Sequence, residues 1–202
     1  FLVGRLYTDY QSYVESEEIT HILQMDTVYN DISNGPFIQT FKFIKYGLLF
    51  AVYHDTKTAA DMVDGLAVLD SILGKSLFEQ EAHITLTDRG GERDDGTRRT
   101  RVFYCDPMQS GQKGSLENMH RELRYILPNE VDLRSIGLTD QTSLNVAISH
   151  INSSAKEHLN GKSPFELCEF MCPELAQKLY EFGLQKIEKD EVILRPSVLT
   201  HK

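Results

Sequence analysis

Three acidic residues, Asp26, Asp88 and Glu117, have side chains that could carry out catalytic chemistry. Along the sequence, 61 residues separate the first two and 28 separate the last two. Asp26 lies in an apolar, β-prone run with no local turn to explain it, although aspartate is depleted from strands. Asp88 ends an alternating run, and Glu117 lies in an amphipathic segment. If such carboxylates converge in space, they repel one another unless cations bridge them. The three acids therefore predict a metal site.

Oxygen ligands with no His or Cys nearby favour Mg²⁺ or Mn²⁺ over zinc. Two such ions about 3.5 to 4 Å apart can serve both ends of an in-line displacement at phosphorus. One would activate water or a DNA 3′-hydroxyl, and the other would stabilise the leaving 3′-oxygen. We therefore expect cleavage and joining of phosphodiesters, with Asp26, Asp88 and Glu117 as catalytic metal ligands. Accidental spacing is the alternative, because the chain has 30 acidic residues.

Basic residues cluster around the second and third acids, where they could contact phosphate groups. The alternative for the arginine-rich part is a solvated, salt-bridged loop, because acidic residues are interleaved with it. Two more alternatives stay open: Glu117 could be an ordinary i+4 partner of Arg121, and His120 could be a satisfied surface histidine. The basic residues are Arg89, Arg93, Arg98, Arg99, Arg101, Lys113, Arg121 and Arg124.

Five strands are predicted to position the acids. Apolar runs rich in β-branched and aromatic residues predict the first three, and alternation predicts the fourth. Turn chemistry at 34–36 and at Gly47 makes the first three an antiparallel meander. A Gly-rich, charged loop over 89–100 separates the last two strands. The predicted ranges are 22–29, 37–46, 48–53, 82–88 and 102–105.

Helices account for most of the remaining chain. Apolar residues at helical spacing predict one helix over 58–73 and another from about 113 to 127, the second carrying Glu117. Three more helices follow toward the C-terminus. Their N-terminal signals are Thr139, Ser163 with Glu166, and Pro173.

This order of elements predicts an α/β protein with a ribonuclease H-like fold, a mixed five-stranded sheet flanked by helices with extra C-terminal helices. In that fold the first and fourth strands are neighbours at the centre of the sheet. Asp26 and Asp88 would then lie side by side, and the helix carrying Glu117 would pack across the ends of their strands.

Composition bounds the class of protein. With 202 residues, 41% hydrophobic and 25% charged, the chain fits one domain over 1–202. Its predicted parts are a lead-in over 1–20, a catalytic core over 21–127 and a helical extension over 128–202. The chain has no apolar run of about eighteen residues and no visible signal peptide, which predicts a soluble protein without a membrane partner. The net charge of −9 disfavours tight DNA binding by this chain alone.

Three cysteines, Cys105, Cys168 and Cys172, are an odd number, which predicts a reducing compartment rather than a disulfide framework. Cys168 and Cys172 follow His150 and His158, a set that could suggest zinc. Their spacing matches neither a CxxC pair nor an HxxxH pair. We expect the two cysteines to pack in a buried helix instead.

Several motifs occur in a fixed order along nearly the whole chain. They are MDTV at 25–28, LTDRGGE at 86–92, RRTRVFYCDP at 98–107, QKGSLEN at 112–118, and SHIN at 149–152 leading to LNGKSP at 159–164. With these motifs the chain resembles the catalytic domain of bacterial insertion-sequence transposases of the IS-thirty family, within the retroviral-integrase-like superfamily. The resemblance implies DDE chemistry with two Mg²⁺ or Mn²⁺ ions, element ends and target DNA as partners, and a homodimer or larger assembly. It also implies a bacterial cytoplasmic, nucleoid-associated protein.

The resemblance carries over residue by residue. The family's metal ligands fall on Asp26, Asp88 and Glu117, its basic residue seven after the glutamate falls on Arg124, and its polar residue after the glutamate falls on Asn118. Together with the basic cluster, these matches predict a set of DNA contacts. The set is Arg89, Lys113, Asn118, His120, Arg121 and Arg124.

The sequence departs from the family in two places. Arg89 stands where the family usually has Asn after the second aspartate. Relatives also have a longer link between the second and third acids, so the loop at 92–93 is either short or incomplete in this sequence. A Gly-rich active-site loop that waits for DNA favours the second explanation. Because the first residue is Phe1, we expect a fragment that lacks the family's upstream helix-turn-helix region.

The predicted function is that of a DDE transposase domain, which hydrolyses phosphodiesters at element ends and joins the freed 3′-hydroxyl to target DNA. Two alternatives remain open. A metal-dependent nuclease of the same fold would cut without joining. A catalytically silent module would bridge DNA or support assembly through the helices after Ser163.

Overall fold

The structure, a computed structural model, describes residues 3–56, 65–88 and 99–200. The strands in these ranges are β1 (Ile22–Val28), β2 (Phe37–Phe43), β3 (Leu48–His54), β4 (Ile84–Thr87) and β5 (Arg101–Tyr104). The helices are α1 (Tyr7–Ser16), α2 (Gly65–Leu73), α3 (Lys75–Glu81), α4 (Gly114–Ile126), α5 (Gln141–Ser153), α6 (Pro164–Met171) and α7 (Pro173–Glu181), with 3-10 turns at Ser110–Lys113, Glu157–Leu159 and Pro196–Leu199. Among the described helices, none has the length and apolar character needed to cross a membrane.

The five strands form one mixed sheet in the order β3-β2-β1-β4-β5. The pairs β1–β2 and β2–β3 are antiparallel, which confirms the predicted meander. The pairs β1–β4 and β4–β5 are parallel, which confirms that the first and fourth strands are neighbours. Gln24 of β1 is level with Leu86 of β4. Asp26 and Asp88, each two residues further along, therefore lie side by side at the carboxyl ends of these strands.

Two apolar clusters pack against the sheet. The larger cluster joins β1, β2 and β3 to the helices α2 to α7 and includes residues from both faces of the sheet. At the β4–β5 side of the sheet, Ile84, Leu86, Phe103 and Cys105 form a smaller cluster. The predicted fold class, a sheet flanked by helices with extra helices toward the C-terminus, is confirmed.

Helix α1 was not predicted, because the lead-in has no strong helical pattern and no fully buried residue. Its aromatic residues close the smaller cluster: the ring of Tyr10 lies 5.8 Å from that of Phe103, edge on, and that of Tyr13 lies 5.9 Å away. The guanidinium of Arg101 lies 4.2 Å from the centre of the Tyr13 ring. Tertiary contact, rather than local propensity, therefore stabilises this helix.

Several predicted boundaries are wrong. The second strand ends at Phe43 instead of 46, since the chain turns so that the buried Tyr46 hydroxyl can donate to Glu81 Oε2 at 2.7 Å. The N-cap of α5 is Asp140 instead of Thr139, because the Asp140 carboxylate accepts the Ser143 N–H at 2.7 Å. The helix predicted over 58–73 is described only from position 65, and a second helix, α3, follows it. Residues 57–64 and most of the predicted loop over 89–100 lie outside the described residues.

Other predicted features of the helices are confirmed. Helix α4 carries Glu117 in its first turn and ends close to the predicted position. Ser163 and Glu166 form a reciprocal capping box at the start of α6, and α7 begins at Pro173. Cys168 and Cys172 are buried among the helices, as expected for a packing role.

Helix α5 covers the outer edge of β3 with side-chain amides. Asn152 Oδ1 accepts the Leu49 N–H at 2.8 Å, and its Nδ2 donates to the Leu49 carbonyl at 2.7 Å. Gln141 repeats the pattern at the other end of the helix: its Oε1 accepts the Tyr53 N–H at 2.8 Å and its Nε2 donates to the Ala51 carbonyl at 3.0 Å. These bonds satisfy backbone groups that an edge strand would otherwise expose.

Candidate active site

The carboxylates of Asp26 and Asp88 meet on one ammonium group. Lys113 Nζ lies 3.0 Å from Asp26 Oδ2 and 3.0 Å from Asp88 Oδ2. The two oxygens are therefore at most twice that distance apart. Lys113 is 2% exposed in its side chain, against 29% for Asp26 and 58% for Asp88, so the cation lies beneath the two acids, on the protein side.

Lys113 closes the 3-10 turn that leads into α4. Its ammonium also donates to the Met25 carbonyl at 3.3 Å, in β1. Burial by itself lowers the pKa of Lys113, but the charges and hydrogen bonds of Asp26 and Asp88 outweigh burial and raise that pKa above its ordinary value. Lys113 is therefore a charged, buried cation at neutral pH.

Asp26 is held by its own strand. Its Oδ1 accepts the Thr27 N–H at 2.8 Å, which leaves Oδ2 directed at the cation. The Asp26 carbonyl accepts the Thr40 hydroxyl at 3.2 Å, and the same hydroxyl oxygen lies 2.8 Å from His120 Nε2. Thr40 or His120 supplies the proton of this second bond, according to the tautomer of the imidazole. His120 is thus a satisfied, partly buried residue rather than a surface one.

Burial lowers the pKa of His120, and the nearby charge of Asp26 opposes this effect only in part. The imidazole is therefore neutral at pH 7. It lines the same side of α4 as Glu117, but its hydrogen bond to Thr40 ties it to the sheet.

The first turn of α4 is docked on the sheet by two polar side chains. Gln24 Oε1 of β1 accepts the Leu116 N–H at 3.0 Å, and Lys42 Nζ of β2 donates to the Ser115 carbonyl at 2.8 Å. Both side chains are buried. They fix the position of the backbone next to Glu117, the residue after Leu116, relative to β1 and β2.

Glu117 itself does not join the two aspartates. It lines an open cleft of about 410 Å³ together with the α4 residues His120, Arg121, Arg124 and Tyr125 and with Asn129. Within the described ranges, no three His, Cys, Asp or Glu side chains are close enough to hold a metal ion in common. Of the three predicted ligands, the structure therefore brings Asp26 and Asp88 together and leaves Glu117 on the neighbouring surface.

The predicted DNA contacts have different environments. Asn118 and Arg121 are exposed, and the Arg121 guanidinium donates to Asn118 Oδ1. Arg124 Nη1 donates to Asn30 Oδ1 at 2.6 Å, and Asn30 in turn donates to carbonyls of the loop after α4. Burial lowers the pKa of Arg124 without removing its charge. Arg89 lies outside the described residues.

Sequence reasoning missed the role of Lys113 at the acidic pair, and with it the supporting roles of Gln24, Lys42 and Thr40. A signal for two of them exists, since Gln24 and Lys42 interrupt apolar strands with polar side chains that are then buried. Such residues need specific hydrogen-bond partners. No spacing pattern marks Lys113, because its partners lie on two other strands.

The donor set of the acidic pair fits a hard divalent cation. Two carboxylates from different strands already share one positive charge, supplied by a lysine ammonium. Burial raises the pKa of the neighbouring Cys105 to about 12, so that side chain stays a thiol and offers no thiolate ligand. Oxygen ligands without thiolate or imidazole suit Mg²⁺ or Mn²⁺ better than zinc.

Comparison with known proteins adds sequence and fold relatives. No protein-family model matches the chain. The transposase of insertion sequence element IS1086 from Cupriavidus metallidurans is 33% identical over 67 residues, which is 33% of this chain and 19% of that protein. The chain thus matches about a fifth of the length of this curated relative.

Solved structures of viral integrases are similar in fold. The catalytic core of BIV integrase is 19% identical, with a TM-score of 0.52 over 81% of this chain and 99% of the core. The HTLV-2 integrase core in complex with magnesium, in its dimeric form, has a TM-score of 0.51 at 13% identity over 73% of this chain and 94% of that core. The chain has the ribonuclease H-like fold of integrase catalytic cores.

A third structure extends this similarity. The simian T-cell lymphotropic virus intasome in complex with a PP2A regulatory subunit contains a chain with a TM-score of 0.56 at 17% identity, over 73% of this chain and 54% of the other. The fold is thus that of an integrase core, and the sequence match to a transposase covers a third of this chain.

Proposed function

We propose that this chain is the catalytic domain of a DDE transposase, which cuts DNA at the ends of a mobile element and joins the freed 3′-hydroxyl to a target. One observation carries the proposal: Asp26 and Asp88 leave adjacent parallel strands side by side and share one cation. The integrase-core fold and the sequence match to a transposase support it. The motifs that resemble the IS-thirty family make that family our specific assignment.

In this proposal Asp26, Asp88 and Glu117 hold two Mg²⁺ or Mn²⁺ ions. Such ions, when bound, activate a hydroxyl nucleophile and stabilise the leaving oxygen of a phosphodiester. Asp26 presents Oδ2 because Thr27 holds Oδ1. Glu117 would reach the pair by changing rotamer, since its side chain is partly exposed in the first turn of α4.

The DNA would lie along the exposed side of α4. Asn118 and Arg121 are accessible there, and Arg124 keeps N–H groups besides the one bonded to Asn30. His120 would contact DNA only through its second ring nitrogen. Arg89 completes the proposed set. Lys113, also predicted as a DNA contact, is buried beneath the two aspartates and would act on them instead of on DNA. Because two element ends must be processed together, we propose a homodimer or a larger assembly.

A catalytically silent DNA-bridging module is the second candidate, and one observation favours it. Lys113 already neutralises part of the acidic pair, and Glu117 lies outside it. A site that has lost its chemistry would keep such an arrangement without needing metal. The two candidates differ in their response to divalent ions.

Strand-transfer assays test the proposal. Purified chain, Mn²⁺ and a pre-cleaved DNA end with a free 3′-hydroxyl are incubated with a target duplex, and joined product is measured. We expect joining that disappears in Asp26→Asn, Asp88→Asn and Glu117→Gln but persists in the exposed control Asp190→Asn. Equal joining by all variants would refute the site. With an uncleaved element end as substrate, cleavage without any joined product would favour the nuclease, and no reaction together with no Mn²⁺ binding would favour the silent module.

A further inference from the structure

The contact of Lys113 with the acidic pair has a consequence beyond neutralisation. The ammonium is 3.0 Å from one oxygen of each aspartate, and these are the oxygens that face a shared cation. Oδ1 of Asp26 is already occupied by the Thr27 N–H. Oδ2 of Asp26, which Lys113 contacts, is therefore the oxygen of that carboxylate with no backbone donor and the one most open to a divalent ion.

A divalent ion at the aspartates would lie next to the ammonium. Mg²⁺ binds carboxylate oxygens at about 2.0 to 2.1 Å. An ion at that distance from Asp26 Oδ2 would lie within about 5 Å of Nζ, which is 3.0 Å from the same oxygen. Because this pocket is buried on the lysine side, the repulsion between the two cations would be weakly screened. Metal binding would therefore favour release of the ammonium from at least one aspartate.

We propose that Lys113 is a built-in counter-cation of the acidic pair, which competes with divalent metal for Asp26 and Asp88 and thereby sets the metal affinity of the site. The inference rests on the proposed metal site. Without metal, Lys113 keeps two like charges together and stabilises the fold. With metal, it exchanges a carboxylate contact for another position along its flexible four-carbon stem.

The competition is testable by removing the lysine while keeping its volume. In Lys113→Met, Mn²⁺ measured by isothermal titration calorimetry should bind at least about tenfold more tightly than in the unchanged chain. The melting temperature without metal should fall, because two carboxylates lose their cation, and Mn²⁺ should raise it by more than in the unchanged chain.

The matched control is another buried lysine with an ion-pair partner. Lys156 is buried and pairs with Glu122, away from the aspartates. Lys156→Met should also lower the melting temperature, but its affinity for Mn²⁺ should equal that of the unchanged chain. Asp88→Asn should weaken Mn²⁺ binding in either background, which locates the ion at the acidic pair.

The Mn²⁺ affinities of these variants distinguish failure of the competition from failure of the proposed metal site. Equal Mn²⁺ affinity in Lys113→Met and the unchanged chain, with loss of binding in Asp88→Asn, would overturn the competition and leave the metal site intact. Weaker binding in Lys113→Met would overturn it as well, because the lysine would then assist the metal. If neither protein binds Mn²⁺ at millimolar concentration, both the inference and the proposed metal site fail.

A second measurement keeps the inference testable should Lys113→Met not fold. The Nζ resonances of the unchanged chain are recorded by NMR with ¹⁵N-labelled lysine, and Lys113→Arg identifies the Lys113 signal by its absence. Addition of Mg²⁺ should shift the Lys113 signal while that of Lys156 stays in place. A Lys113 signal unmoved by Mg²⁺ concentrations that saturate the site would contradict the exchange.

Discussion

The carboxyl ends of β1 and β4 and the outer edge of β3 are both closed by a helical segment, but with different chemistry. At the first, a buried ammonium holds two carboxylates of like charge. At the second, two neutral amides of α5 pair with the backbone of β3. The second arrangement satisfies the hydrogen bonds of its groups without bringing charged side chains together, whereas the first places three charged groups in contact. The comparison indicates that the edge of β3 is built for stability, whereas the acidic pair concentrates charge that the proposed chemistry would use.

The largest effect is expected at the acidic pair, where a substitution should remove activity but leave stability nearly unchanged. Asp26→Asn should lower strand transfer by about 10³-fold or more, because metal stabilisation worth several kcal/mol is lost and each 1.36 kcal/mol is tenfold in rate. Its free energy of unfolding should change by less than about 1 kcal/mol, since Lys113 keeps Asp88 as a partner. Joined product and urea unfolding measure the two quantities. A variant that loses both equally would break the comparison.

Substitutions at the edge of β3 should instead lower stability. Asn152→Ala should cost about 2 to 4 kcal/mol of unfolding free energy, because it leaves the Leu49 N–H and carbonyl buried without partners. Gln141→Ala should cost about 1 kcal/mol, since Gln141 is only partly buried and water can replace it. Urea midpoints at unchanged slope would check both values. Equal costs at the two positions would contradict this account.

Buried charge near α4 should make stability depend on pH. Burial lowers the pKa of Lys42 to about 8 from its ordinary 10.5, with Glu122 opposing and Lys156 adding to the effect. Between these values the unfolded chain binds more protons, so stability should rise with pH, by at most about 1.4 kcal/mol per unit. Unfolding free energies measured from pH 7 to 10.5 should show this rise relative to Lys42→Met. Parallel curves for the two proteins would argue against a depressed pKa.

The smallest effect is expected at an exposed ion pair, which provides a baseline for the other variants. Lys178 Nζ lies 3.7 Å from a carboxylate oxygen of Glu181 on the surface of α7. Lys178→Ala should change the free energy of unfolding by less than about 0.5 kcal/mol, because solvent screens such pairs. Thermal or urea unfolding suffices to measure it. A larger loss would mean that surface charge matters more in this fold than we infer.

Much of the architecture follows from local patterns. Alternation and turn chemistry predicted the meander and the fourth strand, and the adjacency of the first and fourth strands placed Asp26 beside Asp88. Helix α4 was predicted because Leu116 and Leu123 repeat at helical spacing on one side, and both are buried. Of the three acids that were predicted to converge, Asp26 and Asp88 lie together and Glu117 does not.

The features that were not predicted depend on contacts between distant segments. Helix α1 packs its tyrosines on Phe103, about ninety residues away along the chain, and has weak helical periodicity of its own. Lys113 reaches two strands at once, which no spacing within one element reveals. The position of the Glu117 carboxylate was not predicted because a side chain in the first turn of a helix can adopt several rotamers. The Asp26 side chain is instead held by a hydrogen bond from the N–H of Thr27, the next residue in its own strand.

The hydrogen bonds from the side-chain amides of α5 to the backbone of β3 also limit how copies of this protein can associate. Strand addition needs free N–H and C=O groups along an edge, and those of Leu49 are already taken. On the opposite side of the sheet, Leu6 forms a parallel bridge with Tyr104 beside β5. Strand addition at the Leu49 segment of β3 is therefore disfavoured, and copies of the chain that met along this edge would pack through side chains instead of extending the sheet.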